Sequence, residues 1–147
     1  MNFGGTYEIS APPELIFDFI TDPNRIGKCL PDLKSLETEG EDNFRAIVRI
    51  GVGFMRGDFD FQISIIEKMR PHRVRLKGIG SGSGSEAKID TEIELTSTAN
   101  GTNLVYKAKV ELTGLFAGLA QGILLGMVEK TVNQLFDCVK TKTETKN

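Results

Sequence analysis

Apolar and polar residues alternate along most of this chain, which is the pattern of strands with one apolar and one wet face. Five such runs follow one another through the middle of the sequence, and an earlier one predicts a strand at the N-terminus. Residues 33–39 are a candidate for one more strand. The runs are Phe3–Ile9, Phe44–Ile50, Phe59–Ile65, Val74–Gly78, Ala87–Leu95 and Leu104–Leu112. Together they predict a curved antiparallel sheet of about seven strands, with the strands after the first in a meander.

Two short helices are predicted between the first strand and the meander. Ser10–Glu14 opens the first, with proline where the first helical turn tolerates it, and Asp22-Pro23 ends it. Its buried side chains are expected to be Leu15, Ile16, Phe17, Phe19 and Ile20. A second helix is predicted near residues 24–29.

A long C-terminal helix over residues 115–140 is predicted to cover the apolar face of the sheet. Its second half carries a stripe at helical spacing: Val128, Val132, Leu135, Phe136 and Val139. Continued toward the N-terminus, the stripe places Ala117, Gln121, Leu124 and Leu125 against the sheet. It places Phe116, Leu119, Ile123 and Met127 outward. The chain is therefore predicted to be a single α+β domain over residues 1–140, followed by a frayed polar tail over 141–147.

Glycine recurs every fourth residue at the start of this helix, at Gly114, Gly118, Gly122 and Gly126. Interior helical glycines cost roughly 0.5–1 kcal/mol each, so some gain must offset them. Close helix packing, room for a ligand with a bendable pocket mouth, and a membrane-type helix dimer are the three interpretations left open.

Small residues on the inward strand positions predict a cavity between sheet and helix. The alternative is a core filled by phenylalanines. Candidate ligand-binding residues are Phe59, Phe61, Leu76, Thr91, Tyr106, Ala108, Gly118, Gln121 and Leu125.

An apolar rim is predicted around the mouth of this pocket. It combines the outward stripe of the helix with the tip of the glycine-rich hairpin over residues 51–57, as a surface for transient docking on a membrane or partner. The residues are Phe54, Met55, Phe116, Leu119, Ile123 and Met127. Permanent cover by the N-terminal helices or a homodimer mate is the alternative. The glycine–serine run over 78–85 is interpreted as a mobile connection.

Composition narrows the class of protein. Twenty acidic against 18 basic residues leave no basic surplus for nucleic acid. Cys29 and Cys138 lack metal spacing and suit a reducing compartment without a disulfide framework. No signal peptide or membrane span is visible, so a cytoplasmic protein is expected, peripheral at the inner membrane face if it docks there. No catalytic constellation, metal site or cofactor motif is found, and His72 is expected on the surface.

Several local motifs together resemble the CoxG family of carbon monoxide dehydrogenase, within the START-like helix-grip superfamily. They are Ala11-Pro12 before Leu15, Asp22-Pro23, Cys29-Leu30-Pro31, Ser35-Leu36-Glu37, Gly51-Val52-Gly53 before Gly57, and Gly80-Ser81-Gly82 before Ala87. The resemblance implies a curved antiparallel sheet gripped by a long C-terminal helix. It also implies a non-enzymatic hydrophobic cavity for a lipid or quinone-like molecule, and association with a molybdenum hydroxylase of the carbon monoxide dehydrogenase type. An aromatase or cyclase of the same fold and a pure protein-interaction module are the alternatives.

Overall fold

In a computed structural model, which describes residues 1–52, 55–119 and 121–144, the chain forms one seven-stranded antiparallel sheet. The strands are β1 (Asn2–Ile9), β2 (Leu33–Glu39), β3 (Asn43–Val52), β4 (Met55–Met69), β5 (Arg73–Gly82), β6 (Ser85–Thr98) and β7 (Gly101–Gly114). Their order in the sheet is β1-β7-β6-β5-β4-β3-β2. Only β1 leaves sequence order, by pairing with β7. The predicted fold is confirmed, including the strand over residues 33–39.

The β5–β6 hairpin is a tight turn, and the prediction of a mobile connection over 78–85 is wrong. Strand pairing continues to Gly82 and Ser85, so only Ser83 and Gly84 form the loop. Both have positive φ, 50° and 71°, as a two-residue hairpin matched to strand twist requires. The alternating glycines therefore lie within paired strands.

The two short helices are confirmed. Helix α1 (Pro13–Ile20) begins at a proline, and α2 (Pro23–Gly27) begins after Asp22, whose carboxylate accepts hydrogen bonds from the next free backbone N–H groups. The apolar side of α1 is buried, with Leu15 only partly so.

The predicted single helix over residues 115–140 is wrong at both ends. After β7 the chain makes a 3₁₀ turn (Leu115–Gly118), and α3 (Gln121–Glu144) begins only after it. The 3₁₀ turn is tied to the β5–β6 hairpin: the Leu115 N–H donates to the Gly84 carbonyl at 3.1 Å, and the Phe116 N–H donates to Ser85 Oγ at 2.8 Å. Gly114 has φ +90°, a conformation that other residues rarely adopt.

Helix α3 also continues past the predicted end at residue 140. Thr143 is buried, and its hydroxyl donates to the Val139 carbonyl at 2.8 Å. The Ser10 N–H donates to Glu144 Oε2 at 2.7 Å. The first residues of the expected frayed tail are thus helical and attached to the body.

The buried apolar residues divide into two clusters. The larger, the basal cluster, joins α1, the sheet and the second half of α3 through residues such as Ile16, Leu104, Phe136 and Val139. The smaller, the upper cluster, consists of Val48, Phe59 and Phe116. Leu30, which follows α2, and Leu33, the first residue of β2, pack against both.

The opposite face of the sheet carries cross-strand ion pairs, as its alternating charges predict. Arg45 pairs with Asp60 at 2.6 Å, and Arg75 pairs with Asp90 at 2.8 Å. Hydrogen bonds from these guanidinium groups lower the pKa of Asp60 and of Asp90. This face is therefore wet and held by charge pairing.

Cys29 and Cys138 form a disulfide, so the expectation of a chain without a disulfide framework is wrong. The two cysteines are separated by 109 positions, and their Cα atoms lie 5.5 Å apart. Sequence spacing could not reveal this contact, because it depends on how α3 folds back over the segment that follows α2.

No helix among the described residues is long and apolar enough to cross a bilayer.

Candidate functional site

The middle of the concave sheet face is apolar but incompletely covered. Five side chains there are only partly buried, although most of their neighbours toward either end of the sheet are buried. We call them the interior strip: Ile63, Leu76, Ile89, Thr91 and Ala108. Ile63, Leu76 and Ala108 border the basal cluster, and Phe61, the next inward residue after Ile63 on β4, borders the upper cluster. Voids in ordinary cores are costly, so an apolar face left open between two packed clusters suits a ligand.

Strand register brings the strip residues together. Leu76, Thr91 and Ala108 lie opposite one another on β5, β6 and β7. In the next row, Gly78 of β5 lies between Ile63 and Ile89. A methyl group added at Gly78 would meet the Ile63 side chain at 3.4 Å, which is ordinary contact. The small residues at these positions therefore leave space above the middle of the sheet.

Thr91 carries the polar group of the strip. Its neighbours across the sheet are aliphatic, so its hydroxyl stands in an otherwise apolar surface. A hydroxyl can both donate and accept a hydrogen bond. This arrangement can orient an apolar molecule that has one polar atom.

The predicted phenylalanines have different surroundings. Phe59 is buried and stacks on Phe116, with ring centroids 5.2 Å apart. Phe61 is partly buried at the border of the upper cluster, and its ring occupies the space that a side chain at Gly80 would need. Phe61 therefore borders the strip, whereas Phe59 supports it from within the core.

Tyr106 lies at the margin of the strip, beneath α3. Its ring packs against Phe136, with centroids 5.3 Å apart, and the edge of the ring lies over Gly5 on the edge strand. Burial raises the pKa of Tyr106, and the Glu129 carboxylate adds to the shift. Burial likewise raises the pKa of Tyr7, whose hydroxyl donates to Asn133 Oδ1. The two tyrosines attach α3 to the edge of the sheet.

The break before α3 changes which residues face inward. Leu124 is buried as predicted, but Leu125 is 43% exposed and Ala117 is exposed, so their predicted inward positions are wrong. Phe116, predicted to face outward, is buried. Leu119 is partly buried against the upper cluster. For Ala117 and Phe116 the physical reason is that a 3₁₀ turn and a non-helical link do not keep the 100° step from which the stripe is projected. Leu125 lies within α3, so its exposure shows instead that the apolar stripe of the second half does not continue to this position.

Ile123 is exposed as predicted, and Met127 is partly buried. Leu115, Ile123 and Leu125 are exposed large apolar residues in this stretch of the chain, and we call these three residues the apolar end. Helical spacing did not indicate Leu115 and placed Leu125 on the wrong face. Phe54 and the side chains of Met55 and Gln121 lie outside the described residues.

The glycines of the ladder have two different roles. At Gly118, Gly122 and Gly126 an added methyl group would meet nothing within 4 Å, so close packing does not require glycine there. At Gly114 it would collide with the backbone of Gly84. Gly118 is exposed, which places it away from the interior strip.

Two depressions lie on the outside of the described part of the molecule. One, of about 450 Å³, is lined by residues around Pro12, His72 and Asn100. The other, of about 290 Å³, lies beside Asn43 and Gln62.

His72 is exposed, as predicted. Among the described residues, no three His, Cys, Asp or Glu side chains are grouped as metal ligands.

Solved structures share this architecture over nearly the whole chain. A conserved protein from Geobacillus kaustophilus is 26% identical, with a TM-score of 0.90 over 97% of this chain and 95% of its own. A START superfamily protein from Mycobacterium smegmatis is 14% identical, with a TM-score of 0.72 over 97% of each chain. The Zhui aromatase/cyclase from a Streptomyces species is 15% identical, with a TM-score of 0.71 over 98% of this chain and 93% of its own. The last two show the fold alone.

No curated protein matches the chain at a significant level. The model of the carbon monoxide dehydrogenase CoxG family matches residues 5–144. That match takes in every strand and helix from the middle of β1 to the end of α3. On this evidence the chain belongs to the carbon monoxide dehydrogenase CoxG family and has a START-like, helix-grip fold.

Proposed function

We propose that the chain binds a hydrophobic small molecule between its sheet and α3, and carries it without chemical change. The observation that carries the proposal is the interior strip, an apolar surface left partly open between two packed clusters. A lipid or quinone-like molecule has the matching chemistry, because a long apolar body can cover the strip while one polar atom meets Thr91.

Membership of the CoxG family supports the proposal of a hydroxylase as the partner protein. A CoxG chain is proposed to serve a molybdenum hydroxylase of the carbon monoxide dehydrogenase type by delivering or removing this molecule. The apolar end is the proposed place of exchange, at a membrane surface or on the hydroxylase complex. Its side chains are large and exposed, whereas the rest of α3 carries charged residues on its outer side.

Filling the strip tests the proposal. Ala108→Phe should project an aromatic ring over the strip and weaken binding of the apolar dye N-phenyl-1-naphthylamine, measured by fluorescence titration. Lys107→Phe is the control, because it introduces the same ring at an exposed position of the same strand. Equal dye affinity in Ala108→Phe and the unchanged protein, with both folded, would contradict ligand binding at the strip.

Native mass spectrometry of protein purified from its own host provides an independent test. A carrier should retain a lipid or quinone-like molecule that Ala108→Phe loses. A measured turnover that depends on Thr91 or Tyr106 would instead favour the aromatase or cyclase alternative.

A further inference from the structure

The disulfide joins the two walls of the interior strip. One wall is the segment that leads from α2 to the first residue of β2, where Leu30 and Leu33 pack against both apolar clusters. Cys29 belongs to this segment. The other wall is α3, which carries Cys138.

The segment that carries Cys29 is held independently of α3. The Cys29 N–H donates to the Ile26 carbonyl at 3.0 Å, and the Arg49 N–H donates to the Asp32 carbonyl at 3.0 Å. These bonds attach it to α2 and to β3. It is therefore a fixed point against which α3 can be fastened.

Helix α3, in contrast, is unevenly held. Its second half contributes Phe136, Val139 and Thr143 to the buried core, whereas in its first half, among the residues whose side chains are described, only Leu124 is buried. Gly122 and Gly126 add backbone freedom to this first half, and neither is required by packing. Movement of α3 away from the strip therefore depends on how firmly its second half is fastened.

We propose that the Cys29–Cys138 disulfide is a redox latch on α3: the oxidised protein holds α3 over the interior strip, and reduction releases it and speeds ligand exchange. The effect on ligand exchange rests on the proposed function, whereas the effect on α3 does not. Cys29 is buried and Cys138 is only partly so, and we therefore place the first attack of a reductant at Cys138.

The reductant is a dithiol, either a small molecule or a protein of the dithiol oxidoreductase class. One of its thiolates attacks Sγ of Cys138, and Cys29 leaves as a thiolate that takes up a proton. The second thiol of the reductant, as a thiolate, then attacks the other sulfur of the reductant, the one that is bonded to Cys138 in the mixed disulfide. This step releases Cys138 as a second thiolate, which is protonated, and forms the disulfide of the reductant. Two electrons and two protons pass from the dithiol to the protein.

The test compares the oxidised protein, the same protein in dithiothreitol, and the double variant Cys29→Ser/Cys138→Ser with and without dithiothreitol. Hydrogen exchange of peptides from residues 121–144 reports on α3. Dissociation of N-phenyl-1-naphthylamine reports on the strip. Reduction should make both about tenfold faster, in the range of ordinary coupling between two sites. The double variant should resemble the reduced protein and ignore dithiothreitol.

The other outcomes distinguish a failure of the latch from a failure of the proposed function. Unchanged exchange in α3 after reduction overturns the latch, as does an equal response of the double variant to dithiothreitol. If circular dichroism shows that reduction unfolds the whole protein, the disulfide is a structural staple and the latch is wrong. If the dye binds in neither state while α3 still responds, the proposed function fails and the latch on α3 stands.

Discussion

At the scale of single residues, position relative to the break before α3 decides what a side chain does. Phe116 and Ile123 are both large apolar residues, and helical spacing predicts that both face outward. Phe116 is 1% exposed and stacks on Phe59, whereas Ile123 is 49% exposed. The two residues should therefore respond very differently to truncation.

Phe116→Ala should lower the free energy of unfolding by about 3–5 kcal/mol, because it removes a buried ring and leaves a cavity. Ile123→Ala is the control and should change it by less than about 0.5 kcal/mol, as expected for an exposed site. Urea denaturation of both variants provides the measurement. Equal losses in the two variants would contradict the buried position of Phe116.

At Thr91, the effect of the hydroxyl can be separated from the effect of side-chain volume. Thr91→Val preserves the side-chain volume and removes the hydroxyl. Affinity for an apolar ligand with a carbonyl group should fall several-fold, corresponding to a lost hydrogen bond of about 0.5–1.5 kcal/mol. Thr91→Ser should keep most of it. A pure hydrocarbon ligand should not distinguish the variants, and isothermal titration with both ligands checks this.

At the scale of elements, α3 contains glycines that its packing does not require. Gly126→Ala should stabilise the protein by about 0.5–1 kcal/mol, since alanine loses less backbone entropy in a helix and its methyl group meets nothing within 4 Å. The same substitution at Gly114 should destabilise, because φ is +90° there and the methyl group meets the Gly84 backbone. Thermal unfolding of the two variants, measured side by side, tests the contrast.

Should Gly126→Ala also slow the release of a bound apolar dye, flexibility at the start of α3 is part of ligand exchange. Greater stability with unchanged release would instead place the path of exchange elsewhere.

At the scale of the whole molecule, paired carboxylates make stability depend on pH. Hydrogen bonds from arginine lower the pKa of Asp18, Asp60 and Asp90 below the ordinary value of 3.8. A carboxylate with a lowered folded pKa stabilises the protein above its unfolded pKa, and this stabilisation is lost as pH falls through the folded pKa.

We therefore expect the thermal midpoint to fall as pH drops below about 4. The contribution of each pair is small and decreases with added salt, since these groups are largely solvated. Asp90→Asn should flatten the acid limb of the profile, measured by thermal unfolding at a series of pH values. An unchanged limb would show that this pair contributes nothing.

The apolar end gives a second prediction for the whole molecule. Ile123→Glu with Leu125→Glu should leave the protein folded, because both residues are exposed, but should slow transfer of a lipophilic dye from donor vesicles. Lys130→Glu is the control, since it makes the same change in net charge at an exposed position farther along α3. If the double variant unfolds, or dissociates a dimer of the unchanged protein, the apolar end has a structural role.

Local patterns in the chain were enough to predict the strands, the order of elements and the wet face of the sheet. Alternation with a period of two assigns each strand residue to a face, because a strand offers only two. Asp22-Pro23 and the paired prolines indicate the two short helices through local backbone constraints. The inward face of Leu76, Thr91 and Ala108 was predicted for the same reason, and the register of the strands places them side by side.

Contacts between distant elements set where α3 begins, which of its residues are buried, and that the cysteines pair. The break after Gly118 depends on hydrogen bonds to Ser85 and Gly84, which lie on a distant hairpin. Phe116 is buried because that turn carries it onto Phe59, and Cys29 meets Cys138 across 109 positions because α3 packs back over the start of the chain. A periodic pattern records only local geometry, so contacts that form when distant elements meet leave no trace in it.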